Sequence, residues 1–94
     1  MDEPRIILLT GASRGLGRAM TQEFAERGHT VVGCARNQQA VDQLSQLFPA
    51  PHHFALVDVS NLADVQQWSQ QVLATCGVPD LVLNNAALIN APMA

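Results

Sequence analysis

The stretch TGASRGLG, residues 10–17, sets Gly11, Gly15 and Gly17 around Ser13 and Arg14 at the end of the apolar run RIILLT. The chemistry this pattern suits is the holding of a phosphorylated ligand. Glycine backbone can turn sharply and approach an anion closely, and the unpaired N–H groups opening a following helix point at negative charge. Ser13 adds a hydroxyl donor and Arg14 a guanidinium. The spacing is G-x-x-x-G-x-G, which differs from the general dinucleotide fingerprint G-x-G-x-x-G. A tight strand-to-helix turn by itself would need one or two of these glycines and neither Ser13 nor Arg14.

Composition limits what else the chain can do. Its 94 residues are 48% hydrophobic and 14% charged, which supports a packed core and argues against disorder. A net charge of −3, with the five arginines spread from Arg5 to Arg36, offers no broad basic surface for nucleic acid. The opening MDEPR carries acids where a secretion signal needs bases, and no apolar run nears the roughly 18 residues of a membrane span. The expectation is a cytoplasmic location without nucleic-acid or membrane partners. Cys34 and Cys76 form no C-x-x-C pair, and His29, His52 and His53 lack the i, i+4 spacing of a shared metal, so packing roles and no metal site are expected.

The elements that must position the glycines follow from periodicity. RIILLT (5–10) is uniformly apolar, as in a strand buried on both faces of a parallel sheet. A helix is expected from Gly15 to about Arg27, with Gly28 as its C-terminal cap. TVVGCA (30–35) gives a second strand, Val41, Leu44, Leu47 and Phe48 mark a helix stopped by PAP (49–51), and HFALVDV (53–59) gives a third strand. A third helix, capped by Ser60 or Asn61, presents Leu62, Val65, Trp68, Val72 and Leu73 and ends near Gly77. DLVLNN (80–85) is the fourth strand. The order β-α-β-α-β-α-β predicts an α/β chain of Rossmann type, half of a doubly wound parallel sheet with strand order 3-2-1-4. Ligands bind such sheets at the carboxyl ends of the strands, where residues 11–17 fall.

With those elements in place, TGASRGLG resembles the cofactor motif of the short-chain dehydrogenase/reductases, in the spacing of their classical-type subgroup. DVS (58–60) after the third strand and NNAA (84–87) after the fourth extend the resemblance over essentially all 94 residues. It implies that Gly11, Ser13, Arg14, Gly15, Leu16 and Gly17 line the pyrophosphate and adenosine ribose, and that Asp58 and the Val59 backbone contact adenine. It further implies that Asn85, Ala86 and Ala87 pass close to the nicotinamide ribose, with Asn84 bracing the sheet. Read without the motifs around it, an aspartate such as Asp58 after a strand is a helix cap or a solvated turn. Ala87 departs from the family's usual N-N-A-G and adds a methyl group where backbone should approach the cofactor.

The end of the second strand bears on which cofactor is held. An NAD site usually carries an acid there, about 20 residues beyond the glycines, to accept from the ribose hydroxyls. This chain has Ala35 followed by Arg36. Arg36 can fork onto a 2′-phosphate, and Arg14 can reach the same group from the other side, so NADP(H) is expected in preference to NAD(H). The alternative makes Arg14 and Arg36 solvated charges, which is the role expected of Arg18 one turn into the helix.

The resemblance implies hydride transfer between the nicotinamide and a small carbonyl or alcohol substrate, with a tyrosine, a lysine and a serine as catalysts. The chain contains no tyrosine, and Arg5, Arg14, Arg18, Arg27 and Arg36 account for all five of its basic residues, leaving no lysine. Ser13, Ser45, Ser60 and Ser69 all lie in the cofactor half. The 94 residues alone are therefore expected to be inactive, the NAD(P)-binding part of a single domain of roughly 240 residues. An apolar open edge at LVLNN supports the same expectation, and the family implies a dimer or tetramer. The alternatives are a non-catalytic dinucleotide-binding module, such as a redox sensor or partner-binding protein, and a truncated inactive product.

Overall fold

The computed structural model describes residues 3–85. Its strands β1 (Ile6–Thr10), β2 (Thr30–Ala35), β3 (His53–Leu56) and β4 (Leu81–Asn84) form one parallel sheet in the order β3-β2-β1-β4. Helices α1 (Gly15–Glu26), α2 (Gln38–Leu47) and α3 (Leu62–Thr75) alternate with them. This is the doubly wound half expected from the sequence.

At β1 and β2 both faces of the sheet are covered, which explains the unbroken apolar runs there. Side chains alternate across a strand, and on β2 Val31 and Ala35 join Leu9, Val41 and Leu44 in one core, with Met20 and Phe24 of α1 packed against it. Val32 and Cys34 point the other way into a second core with Val57, Trp68 and Val72. The register pairs Leu9 with both Gly33 and Leu83, and Thr10 with Asn84, so the strand ends that must carry a ligand site finish level.

Each helix ends as its local sequence dictates. At the end of α1, Gly28 adopts φ 87°, its N–H bonds to the Ala25 carbonyl, and the His29 N–H bonds to the Phe24 carbonyl. That is a Schellman cap, which needs the left-handed backbone that glycine adopts without penalty. Asn37 caps α2 by accepting from the Ala40 N–H at 2.8 Å. Of the two candidates for α3, Asn61 is the cap, accepting from the Asp64 N–H at 3.2 Å. β3 is shorter than its apolar run because β2 ends at Ala35. Beyond Leu56 only the Val57 N–H reaches back, to the Ala35 carbonyl, and Asp58 then turns the chain.

The amino ends of the strands are sealed by side chains. His29 Nδ1 accepts from the Arg5 N–H at 3.0 Å, His52 Nδ1 from the Val31 N–H at 3.1 Å, and Asp80 Oδ2 from the Ile6 N–H at 2.8 Å. These groups would otherwise be orphan donors at the edge of a buried sheet. On the outer side, Leu81 and Val82 of β4 are exposed. No helix among the described residues is long and apolar enough to cross a membrane.

Candidate dinucleotide site

The carboxyl ends of β1, β2 and β3 open onto a cavity of about 440 Å³, within the range of small-molecule sites. Gly11, Ser13 and Arg14 form the wall after β1, and Cys34 and Ala35 at the end of β2 with Arg36 and Asn37 beyond it form the second wall. Val57 and Val59 contribute an apolar side, while Gln39, Ala40 and Gln43 of α2 contribute the outer flank. Among the described residues no carboxylate lines it.

The turn after β1 is shaped by backbone need. Gly11 and Gly15 hold φ 65° and 59°, in the left-handed region that disfavours side chains. Between them the Ala12 N–H bonds to the Cys34 carbonyl at 3.0 Å, which lays the turn across β2. Gly33 makes this possible, since a Cβ there would lie 2.8 Å from the Ala12 side chain. α1 starts at extended Arg14 with no side-chain cap and no acid in its first turn, so its opening N–H groups remain available to an anion.

Gly17 and Asn85 have a different task from the rest of the motif. A Cβ on Gly17 would lie 2.6 Å from the Asn85 Nδ2 and closer still to the Gly11 carbonyl. The buried Asn85 donates from that Nδ2 to the Gly11 carbonyl at 3.0 Å, fixing the turn from the end of β4. Asn84 stands beside it and accepts from the Thr10 hydroxyl at 3.0 Å, which gives the sheet the brace expected of it. Gly15, Leu16 and Gly17 do not line the cavity, and Leu16 is exposed.

Asp58 sits at the rim between the lining residues Val57 and Val59. Its Oδ1 accepts from the Ser60 hydroxyl at 2.6 Å and the Ser60 N–H at 3.0 Å. The Ser60 hydroxyl, then its N–H, hold this carboxyl below the usual carboxylate range, with Arg36 adding a smaller pull. The Cys34 thiol is pushed up by burial, partly offset by a backbone hydrogen bond from Gly11, so it fits a packing role rather than a reactive one. Ala86 and Ala87 lie outside the described residues.

Arg18 does more than the surface charge expected of it: its guanidinium stacks 4.9 Å from the centre of the Phe48 ring and donates to the Gln22 carboxamide at 3.1 Å. Sequence reasoning also missed Asn37, Gln39 and Gln43 as lining. Helical spacing beyond Arg36 was the available signal, since residues three and four apart share a flank.

A strand-glycine turn-helix at the carboxyl end of a doubly wound sheet, opening on a cationic cavity, defines a dinucleotide-binding fold. The family model described as short chain dehydrogenase matches residues 5–94, and the chain belongs to that family. It is 44% identical over 88 residues to the NADPH-dependent pterin aldehyde reductase of Arabidopsis thaliana, covering 92% of this chain and 36% of that protein. A short-chain dehydrogenase structure from Streptomyces avermitilis superposes with a TM-score of 0.82 at 34% identity, over 88% of this chain and 31% of that one. The 3-ketoacyl-(acyl-carrier-protein) reductase of Brucella melitensis, solved with NADH, gives 0.79 at 28% identity, over 85% and 33% of the respective chains. The chain thus spans about a third of the length of the proteins it matches.

Proposed function

We propose that this chain supplies the cofactor-binding part of an oxidoreductase that transfers a hydride between NADP(H) and a small carbonyl or alcohol substrate. The observation that carries the cofactor choice is the cavity wall, where Arg14 and Arg36 converge from two loops and, among the described residues, no carboxylate opposes them. Each hydrogen bond between a guanidinium and a phosphate contributes about 1.5–3 kcal/mol, enough for tenfold or greater discrimination against a bare 2′-hydroxyl. The NADPH-dependent Arabidopsis relative agrees with this reading. The Brucella protein was solved with NADH, so the choice rests on the arginines and not on family membership.

When bound, the nicotinamide ring supplies or accepts the hydride at its C4 carbon. The residues of this chain bind and orient. Gly11, Ser13 and the opening N–H groups of α1 meet the pyrophosphate, and Gly17 and Asn85 hold that turn in shape. Val57 and Val59 offer an apolar side to adenine, and Asp58, kept ionised by Ser60, accepts from its amino group. The family resemblance assigns Asn85, Ala86 and Ala87 to the nicotinamide ribose. With no tyrosine and no lysine among the 94 residues, proton transfer of the tyrosine–lysine kind falls to residues outside them. That same absence is what favours the second reading, a non-catalytic binding module using the same cavity.

Both cysteines are free thiols, which fits a reducing compartment such as the cytoplasm. The cofactor proposal is tested by titrating NADPH and NADH into the natural polypeptide and its Arg36→Asp variant. The swap should weaken NADPH about tenfold or more while NADH binds as well or better. An NADPH affinity untouched by Arg36→Asp removes Arg36 from the site.

A further inference from the structure

The flank of the cavity formed by α2 carries donors that the arginine argument leaves unused. Gln39 and Gln43 both line it, four residues apart, and an i, i+4 pair keeps its Cβ atoms about 5–6 Å apart on one helix side. Two carboxamides at that separation can bracket a single phosphate group. Gln38 of α2 is engaged, donating to Asp42 at 2.8 Å, and Gln22 of α1 bridges Arg18 and Glu26, while Gln46 of α2 does not line the cavity. Gln39 and Gln43 make no protein hydrogen bond among the described residues, so their N–H groups are available at the cavity.

One further detail favours an anion over other occupants of this flank: Asp42, the carboxylate of α2, is turned to Gln38 and does not line the cavity. The three terminal oxygens of a phosphate monoester can together accept more hydrogen bonds than the roughly four that two arginine forks from Arg14 and Arg36 supply.

We propose that Gln39 and Gln43 form the outer wall of the 2′-phosphate subsite, donating to phosphate oxygens opposite Arg14 and Arg36 and thereby setting cofactor preference. This rests on the NADP(H) reading. It makes the α2 flank a specificity element in addition to the loop arginine at its start. Replacing either carboxamide by a carboxylate of the same size keeps the helix surface and reverses the interaction with the phosphate.

The test is calorimetric titration of adenosine 2′,5′-bisphosphate and 5′-AMP into the natural polypeptide and its Gln39→Glu, Gln43→Glu and Gln43→Ala variants. The ratio of the two affinities should fall about tenfold in each glutamate variant and about threefold in Gln43→Ala. Retained 5′-AMP binding shows that the cavity is intact. If the parent prefers the bisphosphate and the glutamate variants keep its ratio, the glutamine assignment is overturned while the arginine reading stands. If the parent binds both nucleotides equally, the NADP(H) reading fails and this proposal fails with it.

Discussion

The Asn85 carboxamide donates to the Gly11 carbonyl at 3.0 Å across 74 residues of sequence, tying the end of β4 to the turn that follows β1. The register makes this contact possible, because Thr10 pairs with Asn84 and the next residues on each strand emerge side by side. Asn85→Ala leaves a carbonyl at the floor of the site without its donor, a loss of about 1–3 kcal/mol. The denaturant midpoint should drop accordingly, and NADPH should bind more weakly through a loosened turn. An unchanged midpoint would show that the brace carries no energy.

Gly17→Ala tests the same junction from the helix side. The added methyl group would overlap the Gly11 carbonyl and crowd the Asn85 Nδ2. Backbone must shift, at about 1–3 kcal/mol or more. Gly15→Ala is strained by its φ of 59° yet meets nothing in space, so it should cost less, about 1 kcal/mol. The order of the two midpoints checks the assignment of packing to Gly17 and conformation to Gly15.

His52 gives the fold a pH dependence. Burial, then the neighbouring charge of His53, hold its pKa below the ordinary 6.5. Its Nδ1 must stay unprotonated to accept from the Val31 N–H. The unfolded chain therefore binds the proton more readily, so the contribution is complete above pH 6.5 and lost as pH falls below it. Melting temperature measured downward from about pH 7.5 to pH 5 should fall, and His52→Gln should flatten part of that slope.

The stacking of Arg18 on Phe48 joins α1 to the end of α2 on the surface. A cation–π pair between half-buried side chains such as these is worth about 0.5–2 kcal/mol. A double-mutant cycle with Arg18→Ala and Phe48→Leu should return a coupling of that size, with NADPH affinity unmoved. A change in cofactor affinity would place Arg18 in the site.

Strand order and helix positions were legible because burial on both faces forces long apolar runs on β1 and β2, and because glycine, proline and asparagine mark the turns between them. The places of Arg14 and Arg36, each just beyond a strand end and on the cavity wall, were legible from the same runs. The division of labour within the glycine motif was not, because Gly17 is required by Asn85 and the Gly11 carbonyl, contacts that exist only once β4 has returned beside β1. Gly33 was hidden in the same way, since it reads as one more strand residue until Ala12 lies across it. The histidine and aspartate seals at His29, His52 and Asp80 are tertiary contacts of the same kind. The extent of β3 was overread because its apolar run continues past the end of its partner strand.

The measurement that bears most directly on the central claim is the ratio of NADPH to NADH affinity for the unmodified natural polypeptide, taken by calorimetry in one buffer. The cationic wall of Arg14 and Arg36 predicts that NADPH binds at least about tenfold more tightly. Equal affinities, or tighter binding of NADH, would contradict it.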